Sequence, residues 1–339
     1  MIFKKMPKNL ICFNLIVYTI ISFSVLHAEN SEFNTWVNKF KKRAVSSGVS
    51  QIVVDEVMSE AKFLPKVIEY DRYQPEFYED TFTYIKKRTS KRKIADGIRL
   101  YKKEKYIIDK VENEFNVEKE LLLALMGIET NFGKYLGKMD IISSLATLSF
   151  DKRRSEFFTA ELLILLNLVD KKIINKDILY GSWAGAFGNF QFMPSTILNN
   201  AIDYNNDNII DLKSAEDSFA SAANYLSKMG WNTKDRCFKK VKLDEKIPVK
   251  YLNYSARKIK YKKKLSFFKK YIKNYSDDLG NGKEVVAIIT PDKEIVENSN
   301  IYSPAYIIYN NYEIILKWNR SLRFALAVCT LKDKFKNEL

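Results

Sequence analysis

Residues 121–133 read Leu-Leu-Leu-Ala-Leu-Met-Gly-Ile-Glu-Thr-Asn-Phe-Gly, eight apolar or small residues followed by one carboxylate, Glu129. A run that is apolar on every side forms a buried helix rather than an amphipathic surface one. The helix is expected from about Val117, with Asn116 as N-cap and Glu118 in the first turn. Glu129 falls in line with Leu122, Leu125 and Met126 at helical spacing, so its carboxylate faces the core side, with Phe132 close behind. Desolvation favours the neutral carboxyl, and a protonated Glu in such a place suits a general acid. Pairing with a lysine at a fraying helix end is the plainer alternative.

Outward from this helix the glycines are uneven. Six of the 11, from Gly127 to Gly188, lie within 62 residues. They frame Gly181-Ser-Trp-Ala-Gly-Ala-Phe-Gly-Asn-Phe-Gln-Phe-Met-Pro-Ser195, a loop of aromatics with polar handles. Exposed aromatic faces beside amides and carbonyls suit a sugar. Further helices are expected at Ser155 to Val169, Ala215 to Met229 and Ser321 to Lys334, and strands at 284–291 and 304–317. The fold class is therefore mainly α, with a small β element.

The 339 residues, 46% hydrophobic with 11 Gly and 7 Pro, exclude a disordered or disulfide-dense scaffold. The first 28 residues read as a secretory signal: Lys4, Lys5 and Lys8, an apolar run from Leu10 to Leu26, and Ala28 at the cut. An uncleaved anchor is the alternative, and Cys12 follows Ile11, which argues against a lipoprotein. The single histidine, His27, lies in this segment, so histidine-based nucleophilic, general-base and metal chemistry is excluded from the exported chain. Two cysteines remain, and the apolar surroundings of Cys329 favour a small buried side chain over a disulfide with Cys237.

With these residues in view, the chain resembles the lytic murein transglycosylases of the B type, glycoside hydrolase family 103. The resemblance rests on Gly127-Ile-Glu-Thr-Asn-Phe-Gly133, Ser144-Leu-Ala-Thr-Leu-Ser-Phe150, Arg153-Arg with Phe157-Phe, and the whole 181–195 loop. It continues through Ala222-Ala-Asn-Tyr-Leu, Gly230-Trp231 and Ile315-Leu-Lys-Trp-Asn-Arg-Ser321, and covers roughly residues 33–335 with a poor stretch at 237–280. It implies a lysozyme-like α domain with an additional helical lobe. Residues 29–339 then form the catalytic region, with a core at about 115–232 and a C-terminal β and helix part at about 280–335. No separate C-terminal murein-binding module is expected.

Carried over position by position, the resemblance makes Glu129 the sole catalytic acid/base. It places Ser182, Gln191 and Phe192 on the substrate-contacting loop, and Tyr84, Tyr225, Trp318 and Asn319 along the groove. Some members have Tyr where this chain has Trp318 and Phe324. The implied reaction cleaves the β-1,4 bond between N-acetylmuramic acid and N-acetylglucosamine. The C6 hydroxyl closes on C1 to leave a 1,6-anhydro end, with no cofactor in the chemistry. An ordinary retaining glycosidase needs a second carboxylate about 5 Å from the first; here the 2-acetamido group takes that part. A hydrolytic muramidase and a murein-binding scaffold without activity are the alternatives.

A second cluster has metal spacing. Asp203, Asn205, Asp207, the Ile209 carbonyl and Asp211 occupy positions 1, 3, 5, 7 and 9 of an EF-hand-type loop. Position 12 is Ser214, and position 6 is Asn208 rather than Gly. The resemblance suggests that Asp217 completes a structural calcium site. Alternatively Ser214 and Asp217 form a capping box for the next helix, and both readings can hold together.

Net charge is +15, and +12 without residues 1–28, which hold three lysines and no acid. An exported protein rarely meets nucleic acid, so no nucleic-acid partner is expected. Peptidoglycan glycan strands are the expected partner. Anionic membrane surfaces or other cell-wall enzymes are candidates for peripheral contact in a Gram-negative periplasm. The oligomeric state is not legible.

Overall fold

The computed structural model describes residues 29–73, 78–293 and 300–339. The expected export segment, residues 1–28, lies outside the described residues. Among those described, no helix is long and apolar enough to cross a membrane. The fold is mainly α with small sheets. The chain divides into two compact units. One takes residues up to Asp71, Met139–Leu179 and Trp183–Gly185; the other takes Arg72–Lys138, Tyr180–Ser182 and Ala186–Leu339.

The first unit is helical, with a helix over residues 29–46 followed by Gln51–Met58, Ile141–Phe150 and Ser155–Asp170. Phe33, Phe63 and Phe150 meet at centroid distances of 5.5 to 5.7 Å and close its core. Asp140 caps the Ile141–Phe150 helix by accepting from the Ser143 N–H. Arg153 and Arg154 both hold the buried Asp71 carboxylate, a partner far from them in sequence.

The second unit is built around the Lys119–Thr130 helix, whose residues Leu121 to Gly127 are all buried. It packs on the Leu322–Lys336 helix, itself capped by the Ser321 hydroxyl accepting from the Phe324 N–H. The expected start is corrected. Asn116 adopts a left-handed conformation (φ 52°) and ends the preceding Lys105–Phe115 helix, while Glu118 is the N-cap residue. The Glu118 carboxylate makes no cap bond. It accepts from Trp231 Nε1 at 2.6 Å and from Lys332 Nζ at 3.1 Å, so tertiary partners outcompete the local one.

A five-stranded sheet completes this unit. Phe238–Val241 pairs antiparallel with Ala305–Ile308, which pairs antiparallel with Val285–Ile289. That strand also takes Leu252–Asn253 in parallel and Lys262–Lys264 antiparallel. Leu252, Leu265, Phe268, Val286, Ile288 and Ile307 bury one cluster against it. The Lys-rich stretch after Cys237 thus contributes three of the strands. Its periodicity is weak because Leu252–Asn253 and Lys262–Lys264 are too short to show a period of two.

Two further expectations are corrected. The 304–317 stretch is a strand only over Ala305–Ile308; Asn310–Trp318 is a helix. Its Ile and Leu residues bury one helical face, which a short apolar run cannot distinguish from a strand by composition. Cys237 and Cys329 are joined in a disulfide, with Cα atoms 6.2 Å apart. Cys329 is fully buried, as its apolar run implies, but burial and pairing are compatible because the sheet edge brings Cys237 alongside.

Candidate active site

Glu129 stands in the last turn of the Lys119–Thr130 helix, half-buried, and the chain leaves the helix through Asn131 and Phe132, both at positive φ. Two side chains pin this end. Thr130 Oγ1 donates to the Asn189 carbonyl at 2.8 Å and accepts from the Gly133 N–H at 3.1 Å. Lys93 Nζ donates to the Gly127 carbonyl and to Asn131 Oδ1, supplying a cation at the negative end of the helix dipole. Burial pushes the Lys93 ammonium pKa down, and the charge of Arg88 adds to this.

The glycine-rich loop is anchored from its far side. The Asn189 N–H donates to the Leu212 carbonyl at 2.8 Å, and its side-chain nitrogen donates to Ser218 Oγ and the Lys213 carbonyl. Gly188 has φ 78°, and a Cβ there would strike the Leu212 Cβ and carbonyl oxygen, so only glycine lets the two segments approach. Phe187 and Phe192 exchange backbone hydrogen bonds, which folds the loop into a tight hairpin. The expected wall of exposed aromatics is corrected: Phe187, Phe190 and Phe192 are at most 2% exposed, and Phe190 and Phe192 pack on rings outside the loop, Phe190 meeting Phe219 edge-on at 5.4 Å.

Of the residues singled out in the sequence, four come together. Trp318 Nε1 donates to Glu129 Oε1 at 3.0 Å. The Trp318 ring lies 5.5 Å from Phe192 and 5.3 Å from Tyr225, with Phe190 at 6.3 Å, and Phe192 meets Tyr225 edge-on at 5.9 Å. Burial raises the Tyr225 phenol pKa, so it stays protonated at neutral pH and is not a base. Asn319 follows directly as the C-cap of the Asn310–Trp318 helix, half-buried.

The remaining positions are more local. Gln191 is held at φ 51°, and its side-chain nitrogen donates to the Leu136 and Gly188 carbonyls. The Ser182 hydroxyl accepts from the Ala186 N–H at 3.1 Å. Tyr84 is 1% exposed, with the Arg88 guanidinium 3.4 Å from its ring centre, so its ring presents no open face. Thr130, Asn189 and Lys93 are site residues that sequence reading missed. The first two stand inside the quoted motifs beside Glu129 and Gly188, and a buried polar residue in a glycine-rich motif was the available signal.

In the 203–217 loop, the Asp203 carboxylate accepts from the Asp207 and Asn208 N–H groups. Asp207 accepts from the Ile209 N–H, and Asp217, fully buried, accepts from the N–H groups of Tyr204 and Asp211. Asn208 is left-handed, at φ 70°, as position 6 requires. Ser214 caps the Ala215–Lys228 helix through the Asp217 N–H, whereas the Asp217 carboxylate turns to the loop, so half of a capping box is formed. Among the described residues, no three His, Cys, Asp or Glu side chains are gathered closely enough to hold a metal ion.

With this geometry in hand, the chain matches the family described as the transglycosylase SLT domain over residues 32–333. The chain belongs to that family. It is similar to membrane-bound lytic murein transglycosylase B of Escherichia coli, 34% identical over 149 residues. That match covers 44% of this chain and 41% of the relative, so the chain matches about two fifths of that protein's length. The crystal structure of SltB3 from Pseudomonas aeruginosa in complex with NAG-NAM-pentapeptide superposes with a TM-score of 0.77 and 28% identity, covering 90% of this chain and 79% of that one. Slt35 of Escherichia coli, solved with calcium, has a TM-score of 0.73 at 24% identity, covering 89% and 93% of the two chains, and speaks for the fold alone.

Proposed function

We propose that this chain is a peptidoglycan lytic transglycosylase that cleaves the β-1,4 bond after N-acetylmuramic acid and leaves a 1,6-anhydromuramoyl end. The observation that carries the proposal is the Trp318–Glu129 hydrogen bond, inside an aromatic cluster built from the family motifs. Glu129 protonates the glycosidic oxygen as the bond to C1 breaks. The muramoyl 2-acetamido oxygen then stabilises C1. Glu129, now a carboxylate, takes the proton from the C6 hydroxyl as that oxygen closes on C1, which restores the acid. One residue thus serves as acid and then base. The SltB3 structure holding NAG-NAM-pentapeptide supports a glycan strand as the substrate.

Tyr84, Ser182, Gln191, Phe192, Tyr225, Trp318 and Asn319 complete the site in this reading: Trp318 orients the acid, Ser182, Gln191, Tyr225 and Asn319 position the glycan, and the buried Tyr84 and Phe192 act only from beneath the surface. Residues 1–28 act as the export signal and 29–339 as the catalytic region, which places the enzyme in the periplasm. The 203–217 loop binds a structural calcium ion through Asp203, Asn205, Asp207, the Ile209 carbonyl and Asp217. Its donors are all oxygen, which fits a hard cation. A carboxylate has about four lone-pair sites, so the N–H groups it already accepts leave capacity for the ion to draw the three aspartates together.

Turbidity loss of purified sacculi tests the enzymatic reading. Glu129→Gln should fold normally and lose roughly 10²–10⁴-fold in turnover. A variant that keeps a tenth of the activity contradicts a single acid/base.

A further inference from the structure

The second unit holds a cavity of about 520 Å³, none of whose lining residues is among those of the candidate active site. Each wall is one face of a regular element. The Thr81–Arg88 helix and its C-cap supply Phe82, Ile85, Lys86 and Thr89, spaced i, i+3, i+4 and i+7. The Leu322–Lys336 helix supplies Thr330 and Lys334, one turn apart. The sheet supplies Phe238 and Lys240 from one strand, with Pro304 and Tyr306 beside them. Residues two apart on a strand share a face, and Lys240 stands opposite Tyr306 in the register. The Cys237–Cys329 disulfide sits one residue before Phe238 and Thr330, so it ties two of these walls together.

The lining is an apolar slot with a basic rim. Phe82 is 72% exposed at the mouth, and Phe238 packs edge-on against Tyr306 at 5.5 Å. Lys86 lies over the Phe82 ring, and Lys334 donates to the Thr89 carbonyl and hydroxyl. Among the described residues, Lys86, Lys240 and Lys334 form no ion pair. Among the described residues the one acid in the lining, Asp292, is already met by Arg323 at 2.8 Å and by the Thr81 N–H at 3.0 Å. The described residues therefore leave the mouth positively charged.

A cavity of this size falls within the ~300–1,000 Å³ range of small-molecule sites. A small anion alone would leave the apolar walls against water, and a neutral apolar ligand would leave three cations unanswered. We propose that this cavity binds a single acyl chain carrying an anionic head group. The chain lies against Phe82, Phe238, Pro304 and Tyr306, and the head lies among Lys86, Lys240 and Lys334.

Calorimetric titration of the full chain with decanoate tests this, with decanol and acetate as the neutral and short controls. The expected result is one-to-one decanoate binding at least tenfold tighter than either control. The double variant Lys86→Glu/Lys240→Glu, at two exposed positions, should weaken decanoate at least tenfold with unchanged thermal unfolding. Displacement of decanoate by equimolar phosphatidylglycerol–phosphatidylethanolamine vesicles would support a membrane lipid as the natural source, and retention would support a free acid. Decanol binding as tightly as decanoate, or an undiminished affinity in the double variant, would overturn the proposal.

Discussion

The Trp318 indole nitrogen lies 3.0 Å from Glu129 Oε1. An indole N–H is a donor and never an acceptor, so it fixes that oxygen as the accepting one. In the proposed reaction, the proton that Glu129 delivers therefore sits on the other oxygen, and the indole selects which atom of the carboxyl serves as the acid.

Replacing Trp318 by Phe keeps an aromatic ring beside Phe192 and Tyr225 but removes the donor. Hydrogen bonds to charged groups contribute about 1.5–3 kcal/mol, so kcat on sacculi should fall roughly 10- to 150-fold with little change in binding. Unchanged turnover in Trp318→Phe would show that the indole does not orient the acid.

The helix that carries Glu129 was legible because its burial is written in one unbroken apolar run, and the site loop because its glycines cluster. The partner of Glu129 was less legible. Trp318 is 189 residues away along the chain, and the resemblance placed it along the groove without marking it as a hydrogen-bond donor to Glu129. Asn116 misled because Asn serves at either end of a helix, extended as an N-cap or left-handed after the last turn, and the φ that decides between them is not written in the residue type. The disulfide was hidden for a similar reason: Cys329 reads as core, and only the edge strand beginning at Phe238 brings Cys237 to it.

Asp96 gives a pH prediction. Its buried carboxylate is held by Lys134 at 2.7 Å and by Arg99, and the Lys134 hydrogen bond keeps its pKa below the usual range against the opposing effect of burial. A depressed folded pKa stabilises the fold above the unfolded value of about 3.9 and loses that contribution as pH falls through the folded one. Urea unfolding should show Asp96→Asn less stable than the parent at neutral pH, with the gap closing only below about pH 4. A gap that does not depend on pH would assign the loss to packing.

The Cys237–Cys329 bond joins residues 92 positions apart in the sequence. Cross-links of this kind typically contribute about 2–4 kcal/mol. Cys237→Ser should lower the unfolding free energy by that amount in denaturant titration, and a change under half a kcal/mol would remove the bond from the stability of this unit.

Calcium should raise the thermal unfolding temperature, and chelation should lower it. At 100 times the dissociation constant the gain is about 2.7 kcal/mol. The double variant Asp203→Asn/Asp207→Asn should abolish the calcium response while Ser214 still caps its helix. A response that survives the substitutions places the ion elsewhere.

The most direct test of the proposed chemistry is the mass of the soluble products released from purified sacculi, with Glu129→Gln run alongside. Transglycosylation through Glu129 requires muropeptides ending in a 1,6-anhydro sugar, lighter by one water than the hydrolytic product and absent with the variant. Reducing ends in their place would mean that water, not the C6 hydroxyl, attacks C1, and would contradict the proposed reaction.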